Sequence, residues 1–198
     1  HDSRLLRNLR ALGQNPKNIN YVILTDLRAQ HAGGSTKLNR KGEAVATFPA
    51  ARYLIQRTAW EEGITPNERY RTWFHTDDFL PLKSTHQVDL IDGDHEVVPG
   101  VWLKVVDGPS RGHQIVLINH SGTRIAFLGD LIPTPYHLSL PYISAMDQFP
   151  DKSLDSKKRL LEMIEREGWL MIFPYGHENL AGFLRRRNGQ LSLRPTTI

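Results

Sequence analysis

Asp26, Arg28, Gln30 and His31 stand close together just after a short apolar run, Ile19 to Thr25. A second polar group, Gly108-Pro109-Ser110-Arg111-Gly112-His113, lies between apolar runs, and a third, Gly129-Asp130, follows Ala126-Phe127-Leu128. Imidazoles and carboxylates are the side chains that hold divalent metals or move protons near neutral pH. The chain has 9 His and no Cys, which excludes disulfides, thiolate zinc sites, iron–sulfur clusters and thiol nucleophiles. Any metal must therefore be held by imidazole, carboxylate or water. Three apolar strands that end in polar residues can gather those residues at one end of a layered α/β fold, where loops vary while the sheet fixes their positions.

The elements that must do the positioning are readable in outline. Leucines at helical spacing in Arg4 to Leu12, followed by Gly13, predict a helix and its stop. Ile19 to Thr25 is apolar and β-branched, as a buried strand is, and His31-Ala32-Gly33-Gly34 is a loop suited to close backbone approach. Ala50 to Glu62 reads as mixed strand and helix, and Pro66-Asn67-Glu68-Arg69 as a turn. Val88 to Ile91, Glu96 to Val98 and Val101 to Val106 are short strands separated by the turn signals Asp92-Gly93-Asp94 and Pro99-Gly100. Gln114 to Asn119 and Thr123 to Leu128 form a hairpin around His120-Ser121-Gly122. Ser153 and Asp155 offer caps for a helix through Glu167, with Leu154, Leu160, Leu161 and Ile164 inward and Gly168 ending it. Trp169 to Phe173 is a further buried strand, and Gly182 to Leu193 a polar hairpin around Asn188-Gly189.

The chain has 198 residues, 39% hydrophobic and 23% charged, the composition of a folded globular protein that can bury a core. The expectation is one layered α/β domain over residues 1–198. Lys and Arg exceed Asp and Glu by 25 to 21, and the one dense basic run is Arg185-Arg186-Arg187. Without aromatic residues interleaved among the basic ones, that run reads as a solvated face and not as a base-stacking surface. No apolar stretch approaches the roughly 20 residues of a membrane-spanning helix.

The helix, the strand ending in Thr25, the His31 to Gly34 loop, Phe48-Pro49-Ala50-Ala51-Arg52-Tyr53, Pro66 to Arg69, Gly112-His113-Gln114-Ile115-Val116-Leu117 and Phe127-Leu128-Gly129-Asp130 occur in one order. In that order they resemble the metallo-β-lactamase-fold hydrolase superfamily, lactonase-like branch, over nearly the whole chain. The resemblance implies an αββα sandwich, here N-terminally truncated, since relatives place several strands before the helix that begins near Arg4. It also implies two metal ions held by an H-x-H-x-D-H motif, a later His, a bridging Asp and a final His, and it is the only basis for a cytoplasmic location.

In this sequence the motif reads Asp26-x-Arg28-x-Gln30-His31. By the resemblance, the later His is His113, the bridging carboxylate Asp130, and the final position Tyr175, with His177 two residues on. A guanidinium stays protonated and offers only donors, so Arg28 cannot be a ligand, and Gln30 is a neutral stand-in for a carboxylate. Two principal readings remain. In the first, the binuclear centre is lost and no cofactor is expected. The pocket of Asp26, Arg28, Gln30, His31, His113, Asp130 and Tyr175 is then vestigial, with Arg28 paired to Asp26, Asp130 or both, and the chain is a non-catalytic binding or structural subunit of a larger assembly. In the second, one zinc ion is bound by His31, His113 and Asp130 with Asp26 or His177, and hydrolyses lactones or esters, with Tyr136 orienting a carbonyl. RNA binding is a third class, supported only by the mild basicity and the triple arginine Arg185-Arg186-Arg187.

The remaining residues have plainer roles. His75, His86, His95, His120 and His137 are expected in exposed loops or turns, and Trp60, Trp73, Trp102 and Trp169 in core or interface. Asp92-Gly93-Asp94 is expected to be a hairpin turn and not a calcium loop. An incomplete sheet leaves an edge that invites pairing, so a protein partner or self-association is expected to cover it.

Overall fold

The computed structural model describes residues 3–176 and 180–196. These divide into two compact units, 1–92 and 93–198, considered in turn.

The first unit opens with helix α1 (Arg4–Ala11), whose N-cap Ser3 Oγ accepts from the Leu6 amide at 3.4 Å. Strand β1 (Tyr21–Ile23) is shorter than the apolar run that predicts it, because the chain from Leu24 onward turns inward, with Leu24 to Arg28 all buried. Helix α2 (Ala29–Ala32) and the hairpin of β2 (Thr36–Leu38) and β3 (Ala44–Ala46) follow. The ambiguous segment after Ala50 resolves into strand β4 (Arg52–Gln56) running directly into helix α3 (Arg57–Ile64). After helix α4 (Leu80–Ser84), strand β5 (Val88–Ile91) completes a parallel sheet of order β1-β4-β5. The three middle residues of β4, Tyr53 to Ile55, are at most 3% exposed, as expected of a central parallel strand covered on both faces. Trp60 and Phe79 meet edge to face at 5.5 Å in this core. The Tyr53 hydroxyl donates to Ser35 O at 3.0 Å and accepts from Phe48 N at 3.2 Å.

The second unit is a seven-stranded sheet of order β12-β11-β10-β9-β8-β7-β6. Its strands are β6 (His95–Val98), β7 (Val101–Val105), β8 (Gln114–His120), β9 (Thr123–Phe127), β10 (Leu170–Ile172), β11 (Ala181–Arg187) and β12 (Gln190–Pro195). All neighbours are antiparallel except β9 and β10. That parallel pair requires a crossover, which helix α5 (Pro150–Glu167) supplies. Asp92-Gly93-Asp94, expected as a hairpin turn, is instead a bend between strands of two different sheets, β5 and β6, which do not pair. Asp94 accepts from Lys104 Nζ at 2.7 Å and from Val105 N at 3.0 Å. The β8–β9 hairpin turns on Ser121 and Gly122, both at positive φ, the backbone that two-residue hairpin loops need. Gly168 ends α5 at φ +70, again as the sequence predicts.

The start of α5 differs from expectation. It begins one turn earlier, at Pro150, with Phe149 as an N-cap that makes no side-chain bond. Pro at the first helical position loses no hydrogen bond and presets φ. Ser153, expected as a cap, instead donates to the Asp147 carboxylate. Gly108 approaches this first turn so closely that a Cβ would lie 2.7 Å from Ser153 Cα, at a φ of +155. Only glycine fits there, and Gly108 O accepts from Phe149 N at 2.9 Å. The loop preceding β8 is thereby fastened to the helix.

Ser153, Lys157, Leu160, Leu161 and Ile164 share the buried face of α5. Lys157 has no exposed surface, and its Nζ donates to the carbonyls of Ser139 at 2.6 Å, Tyr142 at 2.8 Å and Leu140 at 3.5 Å. Burial pushes its ammonium down to about 8, against an opposing pull from Asp147. Lys157→Met should cost about 1–3 kcal/mol in urea denaturation at pH 7, since carbonyls that Lys157 satisfies lose their donor. Between about pH 8 and the ordinary value of 10.5, the unfolded chain binds more protons than the folded one, so the Lys157 contribution to stability rises with pH across that window. Below about pH 8 both states are protonated and the slope vanishes. The difference in stability between the wild type and Lys157→Met, measured from pH 7 to 10.5, should show that rise.

Candidate functional site

At the end of β1 the chain folds back on itself through one ion pair. Arg28 Nε donates to Asp26 Oδ2 at 2.7 Å, Arg28 Nη2 lies 2.7 Å from the same oxygen, and the Arg28 amide donates to Asp26 Oδ1 at 3.0 Å. Both residues are 1% exposed. One carboxylate thus receives the main chain and the side chain of the residue two positions on, and the charge-assisted bonds are short. The Arg28 guanidinium carbon also lies 5.8 Å from the centre of the Trp73 ring, within cation–π range.

Arg28 then becomes the N-cap of α2: its carbonyl accepts from the amides of His31 at 2.8 Å and Ala32 at 2.9 Å. His31 rides on this helix, half-buried, with Nε2 at 3.7 Å from Asp26 Oδ1. Asp26, Arg28 and His31 are therefore brought together as the sequence places them. Gln30, on the same helical turn, is exposed.

In the second unit, His113 and Asp130 are joined by one hydrogen bond. The Asp130 amide donates to His113 Nε2 at 3.0 Å, with His113 fully buried and Asp130 9% exposed. Asp130 sits in the single turn Gly129–Leu131 after β9, and His113 immediately precedes β8, with its carbonyl accepting from Val106 N at 2.8 Å. The Nε2 lone pair is thus directed at the main chain of Asp130, which leaves the Nδ1 nitrogen as the protonated one in the neutral ring. In this state neither nitrogen offers a free lone pair to a metal.

Tyr175 is 40% exposed, with its amide donating to Pro133 O at 3.1 Å, and Tyr136 is 83% exposed. His177 lies outside the described residues. Of the histidines expected in exposed positions, His75, His86, His95 and His120 are exposed, whereas His137 is half-buried. Its Nδ1 is 2.8 Å from Thr134 Oγ1. Burial, with a smaller contribution from Lys157, pushes the His137 ring below its ordinary pKa. Trp60 and Trp169 are core residues, while Trp102 is 37% exposed, with Lys104 Nζ 5.2 Å from its ring centre.

A family-type metal centre fits these residues poorly. Arg28 engages both oxygens of Asp26 and presents only donors. A divalent cation brought to Asp26 would have to compete with that guanidinium and the Arg28 amide for the carboxylate oxygens. Within each unit, no three His, Asp or Glu side chains of the described residues form a group placed to hold a metal.

Two contributors escaped the sequence reading. Lys157 carried a signal, since its spacing from Ser153, Leu160, Leu161 and Ile164 puts it on the apolar face of its helix. Trp73 carried none, because nothing local ties it to Arg28.

Six curated relatives, all N-acyl homoserine lactonases, match this chain; one from Bacillus thuringiensis is 28% identical over 89% of the chain and 63% of its own length. One from Bacillus cereus is 27% identical over 91% of the chain and 65% of its own length. The chain thus spans somewhat less than two thirds of these relatives. Among solved structures, a probable metal-dependent hydrolase from Staphylococcus aureus superposes with a TM-score of 0.84 at 26% identity, covering 100% of this chain and 70% of that one. An N-acyl homoserine lactone hydrolase with its product at the catalytic metal centre gives 0.67 at 28% identity, over 86% of this chain and 61% of that one. The family model described as the metallo-beta-lactamase superfamily matches residues 1–177 across both units, and the chain belongs to that superfamily.

Proposed function

We propose that this chain is a non-hydrolytic binding member of the lactonase-like branch, in which Arg28 supplies the positive charge that a metal ion supplies in catalytic relatives. The observation that carries this reading is the Arg28–Asp26 pair. A carboxylate at that depth needs a counter-charge, and here the counter-charge is covalently part of the chain, with no exchangeable coordination position. The His113–Asp130 contact supports it: His113 acts as a positioning residue that holds the main chain of Asp130. The ligands expected are the small lactones, esters and acylated carboxylates suggested by the relatives, bound and not turned over. The chain's place is then that of a binding or structural component of an assembly, with a protein partner or a second copy.

A second reading is favoured by a different observation. All six curated relatives are lactonases, and by the resemblance His31, His113 and Asp130 stand at ligand positions, with Asp26 in place of a His. The comparisons lean toward this reading and the geometry toward the first. Here a single zinc ion would be held by His31, His113 and Asp130, with Asp26 or His177, and would supply an activated water for lactone or ester hydrolysis. It requires His113 to leave Asp130 N and Asp26 to leave Arg28.

Purification without chelator, metal analysis and an assay with N-hexanoyl homoserine lactone separate the two. The first reading expects less than about half an equivalent of zinc, manganese or iron and no turnover when zinc is added. About one equivalent, with turnover abolished by His31→Ala and by Asp130→Asn, would establish the second and overturn the first.

The pair itself is tested by stability. Arg28→Met leaves the Asp26 carboxylate buried without its counter-charge and should cost about 3–5 kcal/mol in urea denaturation. Asp26→Leu combined with Arg28→Met removes both charges and should recover most of that loss. A single variant as stable as the wild type would mean that Arg28 is not the counter-charge.

A further inference from the structure

We propose that the second unit carries a separate ligand site, a cleft beside α5 that takes an aliphatic chain ending in a single carboxylate. The cleft encloses about 460 Å³, within the range of about 300–1,000 Å³ typical of small-ligand sites. Its floor is apolar. Leu138 and Leu161 are 1% and 2% exposed, and Leu140 and Leu191 pack half-buried against the same core.

Both walls are tied to α5 by charged side chains. Lys157 holds the wall at residues 139–142 through the three carbonyls already described. The opposite wall is the turn between β11 and β12, held by Arg186. Its Nε and Nη2 donate to the two oxygens of Glu165 at 2.8 and 2.7 Å, and its Nη1 donates to Gly189 O at 3.3 Å. A cleft whose walls are fixed before the ligand arrives loses less entropy on binding.

The rim selects the head group. Arg186 is neutralised by Glu165. Lys158 also lines the cleft, is exposed, and has no ion pair or hydrogen bond among the described residues, which leaves its ammonium free to meet an anion. Glu162, one helical turn on and also lining the cleft, repels a second negative charge. The combination favours a monoanionic carboxylate over a dianionic phosphate, and the leucine floor favours an unbranched aliphatic tail.

The test is calorimetric titration of the full chain with decanoate, and separately with 1-decanol, both below the concentration at which they aggregate. Expected is one saturable decanoate site. Lys158→Glu should weaken decanoate at least tenfold and leave decanol unchanged, whereas Leu191→Glu should abolish both. Urea midpoints of the two variants close to the wild type verify that they fold. No saturable decanoate binding, or binding that neither variant alters, would overturn the site. Equal weakening of both ligands by Lys158→Glu would also overturn it, by removing the carboxylate contact. The residues lining the cleft all lie in the second unit, so this result is read independently of the outcome at Arg28.

Discussion

The placing of a guanidinium and a carboxylate together beneath the end of β1 constrains the first unit more than any other contact. Two buried charges are tolerated only when their geometry is good and their remaining donors and acceptors are used. That demand is met here by making one residue serve twice: Arg28 binds Asp26 with its side chain and its amide, then caps α2 with its carbonyl. The direction in which the chain leaves the sheet, the start of the helix and the position of His31 all follow. The segment after β1 is thus organised by contacts within itself.

The second unit repeats the principle with other groups. Its loops are fastened to the scaffold by buried polar contacts as well as by apolar packing. His113 Nε2 takes the Asp130 amide, Lys157 takes carbonyls of the 139–142 segment, and Gly108 lets the loop before β8 come within backbone contact of α5. Each contact satisfies a main-chain group that would otherwise be buried without a partner, at a cost comparable to a lost hydrogen bond. Each is also specific, since a shift of the loop by one residue would break it. These polar contacts act beside the apolar packing of Leu131, Ile132 and Leu138 in the core and fix the register of the loops.

How far this was legible from the sequence depends on the range of the signal. The β8–β9 hairpin, the α5 stop at Gly168 and the Asn188-Gly189 turn were readable because turn backbone needs particular residues at particular positions. The start of α5 was misread because Ser153 looks like a cap, and only the fold shows it occupied by Asp147. The length of β1 was overestimated because an apolar run says that residues are buried, not where the strand stops and the buried turn begins. Arg28 was legible as a misfit at a ligand position, and pairing with Asp26 was one of the expected outcomes. Trp73 was not legible, because its contact with Arg28 joins segments far apart in sequence. His137 lies in a proline-flanked loop that reads as exposed, and only the proximity of Thr134 and Lys157 reveals its burial.

Family membership and site chemistry are recorded in different residues, which is why they can point in different directions. The family match extends over residues 1–177, most of which build core strands, helices and turns. Metal ligation rests on a few side chains at strand ends, where one change alters chemistry while leaving the core untouched. On the proposed reading, an arginine at such a position, paired with a carboxylate two residues away, keeps a positive charge there. It removes the open coordination position through which a metal ion activates water. The first property holds the start of α2 in place through Asp26, and the second is what metal-assisted hydrolysis requires. Fold membership and the chemistry around Asp26 are therefore separate questions, and the second is decided at the side chains.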